Sequence, residues 1–224
     1  MSRVVAVVPA RNESGLIGPT VEAIRTLGLD EVVVVDGGSS DGTAHEAAAA
    51  GARVLRGPGR GKGEALEGAL SRIARADVYL LLDADLGDTA KEAGALLDEV
   101  EEGRADLAIA IFPPDPRSSG FGLVKRMAGR VVRTLCGFAP QEPLSGQRAV
   151  VAPVLEAVRP LAPGFGVEVA MTIDAVRAGF RVREIPVPMR HVPSANDLAG
   201  ILHRARQGAD VLRVAAPRVL HRSR

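Results

Sequence analysis

Val78-Tyr79-Leu80-Leu81-Leu82-Asp83-Ala84-Asp85 is the stretch on which the fold turns. An apolar run stops abruptly at two carboxylates with one small residue between them. Such a run reads as a strand buried on both faces, the pattern of a parallel α/β sheet. A strand of this kind carries no charge along its length, but it can carry charge at its carboxyl end, where α/β sheets hold ligands. Two Asp side chains there repel unless a cation or protons relieve them. Hard cations such as Mg²⁺ or Mn²⁺ take oxygen ligands and usually bring phosphates with them. Asp-x-Asp alone is a weak pattern, and a cap on the following helix is its plain alternative.

Outward from this strand, strand and helix signals alternate. Val4 to Val8 predicts a strand, Ile17 to Leu27 a helix, Glu31 to Val35 a strand and the Ala-rich stretch after Thr43 a helix capped by Ser40 or Asp41. A brief strand is expected over Arg53 to Arg56 and a helix over Glu64 to Arg75. Beyond Asp85 come a helix over Ala90 to Glu101 and a strand over Ala105 to Ile111. Phe112-Pro113-Pro114-Asp115-Pro116 then interrupts the alternation. Further helices are expected over Ser118 to Leu135 and Gly166 to Ala178, and strands over Gln147 to Ala152 and Arg181 to Ile185. A basic helix is expected over Asp197 to Leu220. The alternation argues for a mostly parallel sheet flanked by helices. With no repeat or linker in view, 1–224 reads as one domain. About 1–111 reads as a nucleotide-binding half, and about 112–224 as an acceptor-handling half.

The 224 residues carry a net charge of +1, so bulk electrostatics does not call for nucleic acid. Cys136 is the only cysteine, which excludes an internal disulfide and fits a reducing compartment. Met1-Ser2-Arg3-Val4 runs straight into a strand pattern, and no apolar run reaches bilayer-spanning length, so a cytoplasmic protein is expected. Two basic stretches stand out: Arg117 to Arg133, without an acid between Pro116 and Gln141, and the tail from His203, with Asp210 as its one acid. They are either solvated faces or contacts for an anionic acceptor or an anionic membrane surface.

Several residues carry chemistry. Glu13, Asp36 and Asp83 each close a predicted strand, and acids at three strand ends suggest a nucleoside pocket. Gly59-Arg60-Gly61-Lys62-Gly63 is neither a Walker A loop nor a dinucleotide fingerprint. It reads either as a solvent loop or as one that offers N–H groups and Lys62 to a phosphate. Glu168 interrupts an apolar helix start, where dipole stabilisation and contact with substrate hydroxyls are both open. His191 is the best available third metal ligand beside the two aspartates, although a lone His is more often structural.

These segments together resemble one family. Val8-Pro9-Ala10-Arg11-Asn12-Glu13, Val35-Asp36-Gly37-Gly38-Ser39-Ser40-Asp41-Gly42-Thr43, Gly61-Lys62-Gly63-Glu64-Ala65-Leu66, Leu82-Asp83-Ala84-Asp85-Leu86, Pro143-Leu144-Ser145-Gly146 and Gly164-Phe165-Gly166-Val167-Glu168 run in the order of the metal-dependent family-2 type glycosyltransferases with the GT-A fold. Two branches are similar: glucosyl-3-phosphoglycerate synthases and polyprenyl-phosphate (dolichol-phosphate-mannose type) synthases. The resemblance implies a donor site of Pro9, Ala10, Arg11, Glu13, Asp36, Gly61, Lys62, Asp83, Ala84, Asp85, Leu144, Ser145, Gly146 and Glu168. It implies Mg²⁺ or Mn²⁺ on Asp85, Asp83 and His191, and Glu168 and Asp85 as catalytic residues. Lys125, Arg126 and Arg190 are the expected acceptor contacts. The Gly-Arg-Val-Thr acceptor motif of the phosphoglycerate branch is met here by Gly122-Leu123-Val124-Lys125, without its Arg and Thr. The implied partners are a nucleoside-diphosphate sugar and an anionic acceptor, with room for peripheral contact at the inner membrane face and for a homodimer.

Overall fold

The computed structural model describes residues 2–59, 61–113, 122–192, 209–216 and 218. Val4–Ala10 (β1), Glu31–Asp36 (β2), Arg53–Arg56 (β3), Val78–Leu81 (β4), Leu107–Ile111 (β5), Arg148–Val151 (β6) and Val182–Pro186 (β7) form one seven-stranded sheet in the order β3-β2-β1-β4-β6-β5-β7. All but β6 run parallel to one another. β6 lies antiparallel between β4 and β5. The expected mostly parallel sheet is therefore present, with one reversed strand whose direction nothing in the periodicity announced.

The helices are Ile17–Arg25 (α1), Thr43–Ala49 (α2), Lys62–Leu70 (α3), Gly94–Glu101 (α4), Gly122–Cys136 (α5), Ala152–Val158 (α6) and Val167–Arg177 (α7). The third helix ends before the expected Arg75. The fourth is preceded by a tighter 3₁₀ stretch over Gly87–Ala93. α6, directly after β6, was not expected. The basic tail helix lies mostly outside the described residues, of which 209–216 are helical.

Period-two alternation sorts the strand residues onto two faces. Val4, Ala6 and Val8 join Val32, Val34, Leu80 and Leu82 under α1, α2 and α4. Val5 and Val7 join Val33, Val35, Tyr79 and Leu81 under α3, α6 and α7. A third cluster joins Ala128, Val132 and Leu135 of α5 to Val169, Ala170 and Ile173 of α7, with Val211 and Val214 of the 209–216 segment. α7 is thus covered on both sides, which is why its residues from Val167 to Ile173 are all buried. Among the described residues, no helix is long and apolar enough to cross a membrane.

Candidate active site

The carboxyl ends of β2, β1 and β4 lie side by side, which brings Asp36, the last residue of β2, and the loops bearing Glu13 and Asp83 to one rim. The loop after β1 is tied to the loop after β2. Asn12 takes a left-handed conformation (φ 57°), donates its N–H to Ser39 Oγ at 2.9 Å and accepts the Ser40 N–H at 3.0 Å. The Glu13 N–H donates to Thr43 Oγ1 at 2.9 Å, and the Ser14 N–H to Asp41 at 3.1 Å. Asp41 also accepts the Thr43 N–H, although the helix cap itself is Gly42. The polar run after β2 therefore fixes the neighbouring loop as much as it starts α2. The Asp36 carboxylate closes its own turn by accepting the Ser39 N–H at 3.1 Å. Burial, then the charges of Asp85, Asp83 and Asp41, push the Glu13 carboxyl up to about 7.

Asp83 caps no helix. The 3₁₀ stretch after it has Leu86 at its N-cap and no side-chain cap. The turn is held from below by the buried Thr20 hydroxyl, which lies 2.9 Å from both the Ala84 carbonyl and the Gly87 N–H. Asp83, Asp85 and His191 each offer one ligand atom, and these atoms lie within 4.8 Å of one another. His191 Nδ1 is 2.8 Å from an Asp85 carboxylate oxygen. The segment carrying the histidine is strapped over the carboxylates, because the Val192 N–H donates to the Asp85 carbonyl at 2.8 Å and Thr89 Oγ1 to the Arg190 carbonyl at 3.1 Å. Burial alone would lower the His191 pKa, but the hydrogen bond to Asp85 and the charges of Asp85 and Asp83 carry it above the ordinary imidazole value. Ligands of a hard divalent ion stand about 2.1 Å from it, so two on opposite sides are about 4.2 Å apart. Two carboxylates and an imidazole in this span fit such an ion with only a small closure.

Lys62, at the first position of α3, reaches between two acids. It pairs with Asp83 and, at 2.9 Å, with Glu168. Burial alone would lower its pKa, but the two carboxylates outweigh it and raise it. The same ammonium, against the opposing effect of burial, holds Asp83 down to about 2. Glu168 lies in the first turn of α7 and is 6% exposed. Gly146 leaves room for this pair, since a methyl group added there would displace the Lys62 ammonium and the Asp83 carboxylate. Three residues of this wall, Gln147, Arg148 and Thr172, were not expected. Gln147 donates to Asp83 Oδ2 at 2.7 Å. Arg148 donates to the Ser145 carbonyl at 2.9 Å and to Thr172 Oγ1 at 3.0 Å. The buried Gln147 and Arg148 follow Gly146 directly, so a polar pair opening a predicted strand was their only available signal.

The structure brings Glu13, Asp83, Asp85, His191, Lys62, Glu168 and Gly146 together. Pro9 and Ala10 close β1, and Gly61 is the N-cap of α3. Ala84 is buried, Arg11 exposed, and Leu144 and Ser145 half-buried beside Gly146. Of the expected acceptor contacts, Lys125 is already paired with Glu142, Arg126 is exposed on α5, and Arg190 is exposed beside His191.

A strand-end carboxylate pair, a strapped histidine and a buried lysine on a reversed-strand α/β sheet define the class of fold and site. The model of glycosyl transferase family 2 matches residues 5–136, more than half of the chain, and the protein belongs to that family. It is 30% identical over 193 residues to glycosyltransferase AglJ of Haloferax volcanii, covering 84% of this chain and 63% of that one. It is 33% identical over 193 residues to glucosyl-3-phosphoglycerate synthase of Mycolicibacterium smegmatis, covering 75% of this chain and 62% of that one. The chain thus spans a little over six tenths of the length of these relatives. The crystal structure of glucosyl-3-phosphoglycerate synthase from Mycobacterium tuberculosis with Mn²⁺, UDP and glucosyl-3-phosphoglycerate superposes with a TM-score of 0.80. It is 28% identical, and the match covers 96% of this chain and 80% of that one. The GT-A fold expected from the resemblance is the fold observed.

Proposed function

We propose that this chain transfers a hexose from a nucleoside-diphosphate sugar, of the UDP-glucose or GDP-mannose type, to an anionic, phosphate-bearing acceptor. The observation that carries the reading is the Asp83–Asp85–His191 cluster, within 4.8 Å, beside the Lys62–Glu168 pair at the carboxyl ends of parallel strands. Mg²⁺ or Mn²⁺ held there would supply the positive charge that a departing nucleoside diphosphate needs. The chain's own residues do the rest. Pro9, Ala10, Glu13 and Asp36 frame the nucleoside. Lys62 keeps Asp83 ionised and bridges it to Glu168, and the Leu144–Gly146 turn with Glu168 lines the sugar. A phosphate acceptor arrives already anionic and needs no base. For an alcohol acceptor Glu168 is the group placed to take the proton, an effect worth roughly 10²–10⁴-fold.

Arg126 and Arg190 would draw the acceptor's charge, with Lys125 partly satisfied by Glu142. A polyprenyl phosphate is the acceptor supported by the exposed Leu123 and the arginines of α5, which give a basic amphipathic face. A small soluble acceptor is the second reading, favoured by the glucosyl-3-phosphoglycerate present in the related crystal structure. Turnover of a panel of UDP- and GDP-sugars with Mn²⁺ tests the reaction, and Asp85→Ala tests the metal site. The variant is expected to lose Mn²⁺ binding by calorimetry and nearly all nucleoside diphosphate release, and undiminished turnover would refute the metal role. Co-sedimentation with anionic liposomes at low salt separates the two acceptors, because a chain that stays in the supernatant argues for the soluble one. Pyrophosphate release from a sugar phosphate and a nucleoside triphosphate would instead mark a nucleotidyltransferase.

A further inference from the structure

Arg148 is the bulkiest of the fully buried side chains, with 1% of its surface exposed. It opens β6, opposite Leu81 of β4 and Ile109 of β5, and its guanidinium runs to α7 beneath the sugar-side wall. Burial pulls its pKa down to about 10, against the opposing pull of Glu168, Glu184 and Asp83. An apolar side chain would serve stability here as well as a buried cation does. What an apolar side chain could not do is hold two walls of the site in register.

Arg148 does hold them. Nε donates to the Ser145 carbonyl at 2.9 Å, which fixes the Leu144–Gly146 turn. Nη1 donates to Thr172 Oγ1 at 3.0 Å, and that hydroxyl donates onward to the Glu168 backbone carbonyl at 2.9 Å. Nη2 is buried without a hydrogen-bond partner. Arg148 also lines a cavity of about 10 Å³ together with Lys62, Gly146 and Glu168 and the apolar Leu66, Leu81, Val167 and Met171. That is close to the smallest space that admits one water, and the lining offers both donors and an acceptor. A buried charged N–H left unmet is costly, so an acceptor within this cavity is the economical solution.

We infer that Arg148 is a positioning residue for Glu168. From below it ties the Ser145 turn to α7, and one water bound in the cavity links its Nη2 to the Glu168 carboxylate. This rests on the transfer reaction proposed above, in which Glu168 faces the sugar. The residue touches no substrate and acts through Glu168 and Gly146.

Arg148→Met removes the donors while keeping the length. The expected result is a kcat lower by about 10²-fold, the cost of misplacing a reacting group by about 1 Å. The donor KM is expected to change by less than about threefold, because donor and metal are held elsewhere. Arg148→Lys recovers part of the kcat, since one ammonium cannot span Ser145 and Thr172 together. A high-resolution crystal structure of the unaltered protein is expected to show the water between Nη2 and Glu168. The absence of that water, or a cooperatively folded Met variant with a kcat within about threefold of the parent, overturns the inference. Should the Met variant fail to fold, Thr172→Val breaks the same tie from the other side and carries the same kinetic expectation. If the unaltered chain turns over no sugar nucleotide, the proposed reaction is what falls, and the crystal structure alone decides the role of Arg148.

Discussion

Glu13 lies among acids, and its neutral form is favoured by burial and by Asp85, Asp83 and Asp41, so that its carboxyl titrates at about 7 rather than the ordinary 4.5. Between these values the folded chain holds a proton that the unfolded chain has released. The contribution of this group to stability is therefore full below the ordinary value and is lost as pH rises toward about 7. Glu13→Gln has no such loss. Thermal melts without divalent ions should show the variant gaining on the parent across that window, and parallel curves would contradict the assignment. The same scale shows what a sequence displays and what it withholds. Asp83, Asp85, Glu168 and His191 were legible because each places a chemistry-bearing group where an apolar pattern breaks. Gln147, Arg148 and Thr172 were not, because a polar residue inside an element has no meaning until its partner is known, and their partners come from other elements.

α3 does more than deliver Lys62. Its Glu64 accepts the Gly164 N–H at 2.9 Å and its Glu67 the Leu161 N–H at 3.0 Å, so the helix braces the loop that launches α7 and Glu168. Gly63 allows the close approach, since a methyl group there would collide with the Ala162 carbonyl. Gly63→Ala should therefore cost about 1–3 kcal/mol, the usual penalty of overpacking. It should also lower turnover by pushing Lys62 and Glu168 apart, measured by denaturant melts alongside sugar-nucleotide turnover. Of the elements, β1 to β5 and α7 were readable from period and punctuation. β6 was placed but not oriented, because four residues that begin with a buried arginine carry no sign of strand direction. α6 was missed since Pro153 and a seven-residue length hide a helix that exists only by packing its Val154, Leu155 and Val158 on the sheet.

For the whole molecule, the proposed metal binding would be coupled to folding. The three candidate ligands come from positions 83, 85 and 191, which an unfolded chain does not gather. Mn²⁺ at a hundred times its dissociation constant should stabilise the fold by about 2.7 kcal/mol, or about 5–10 °C in Tm for a chain of this size. Asp85→Ala should abolish that rise. The effect should also fade on acidification, because a protonated His191, favoured by its raised pKa, cannot bind the ion.

The reversed strand has a consequence for the order of events during synthesis. β4 has β1 on one side and β6 on the other, and β5 pairs only with β6 and β7. The family match ends at residue 136, before any of β6 or β7 has been made. A nascent chain that has emerged only that far carries the aspartate strand with one bare edge and β5 with two, the kind of surface that recruits unwanted partners. Only when residues 148–151 slide in, head to tail against both neighbours, do the halves become one sheet. The ribosome has by then delivered Gln147 and Arg148 beside Asp83 in the same stroke.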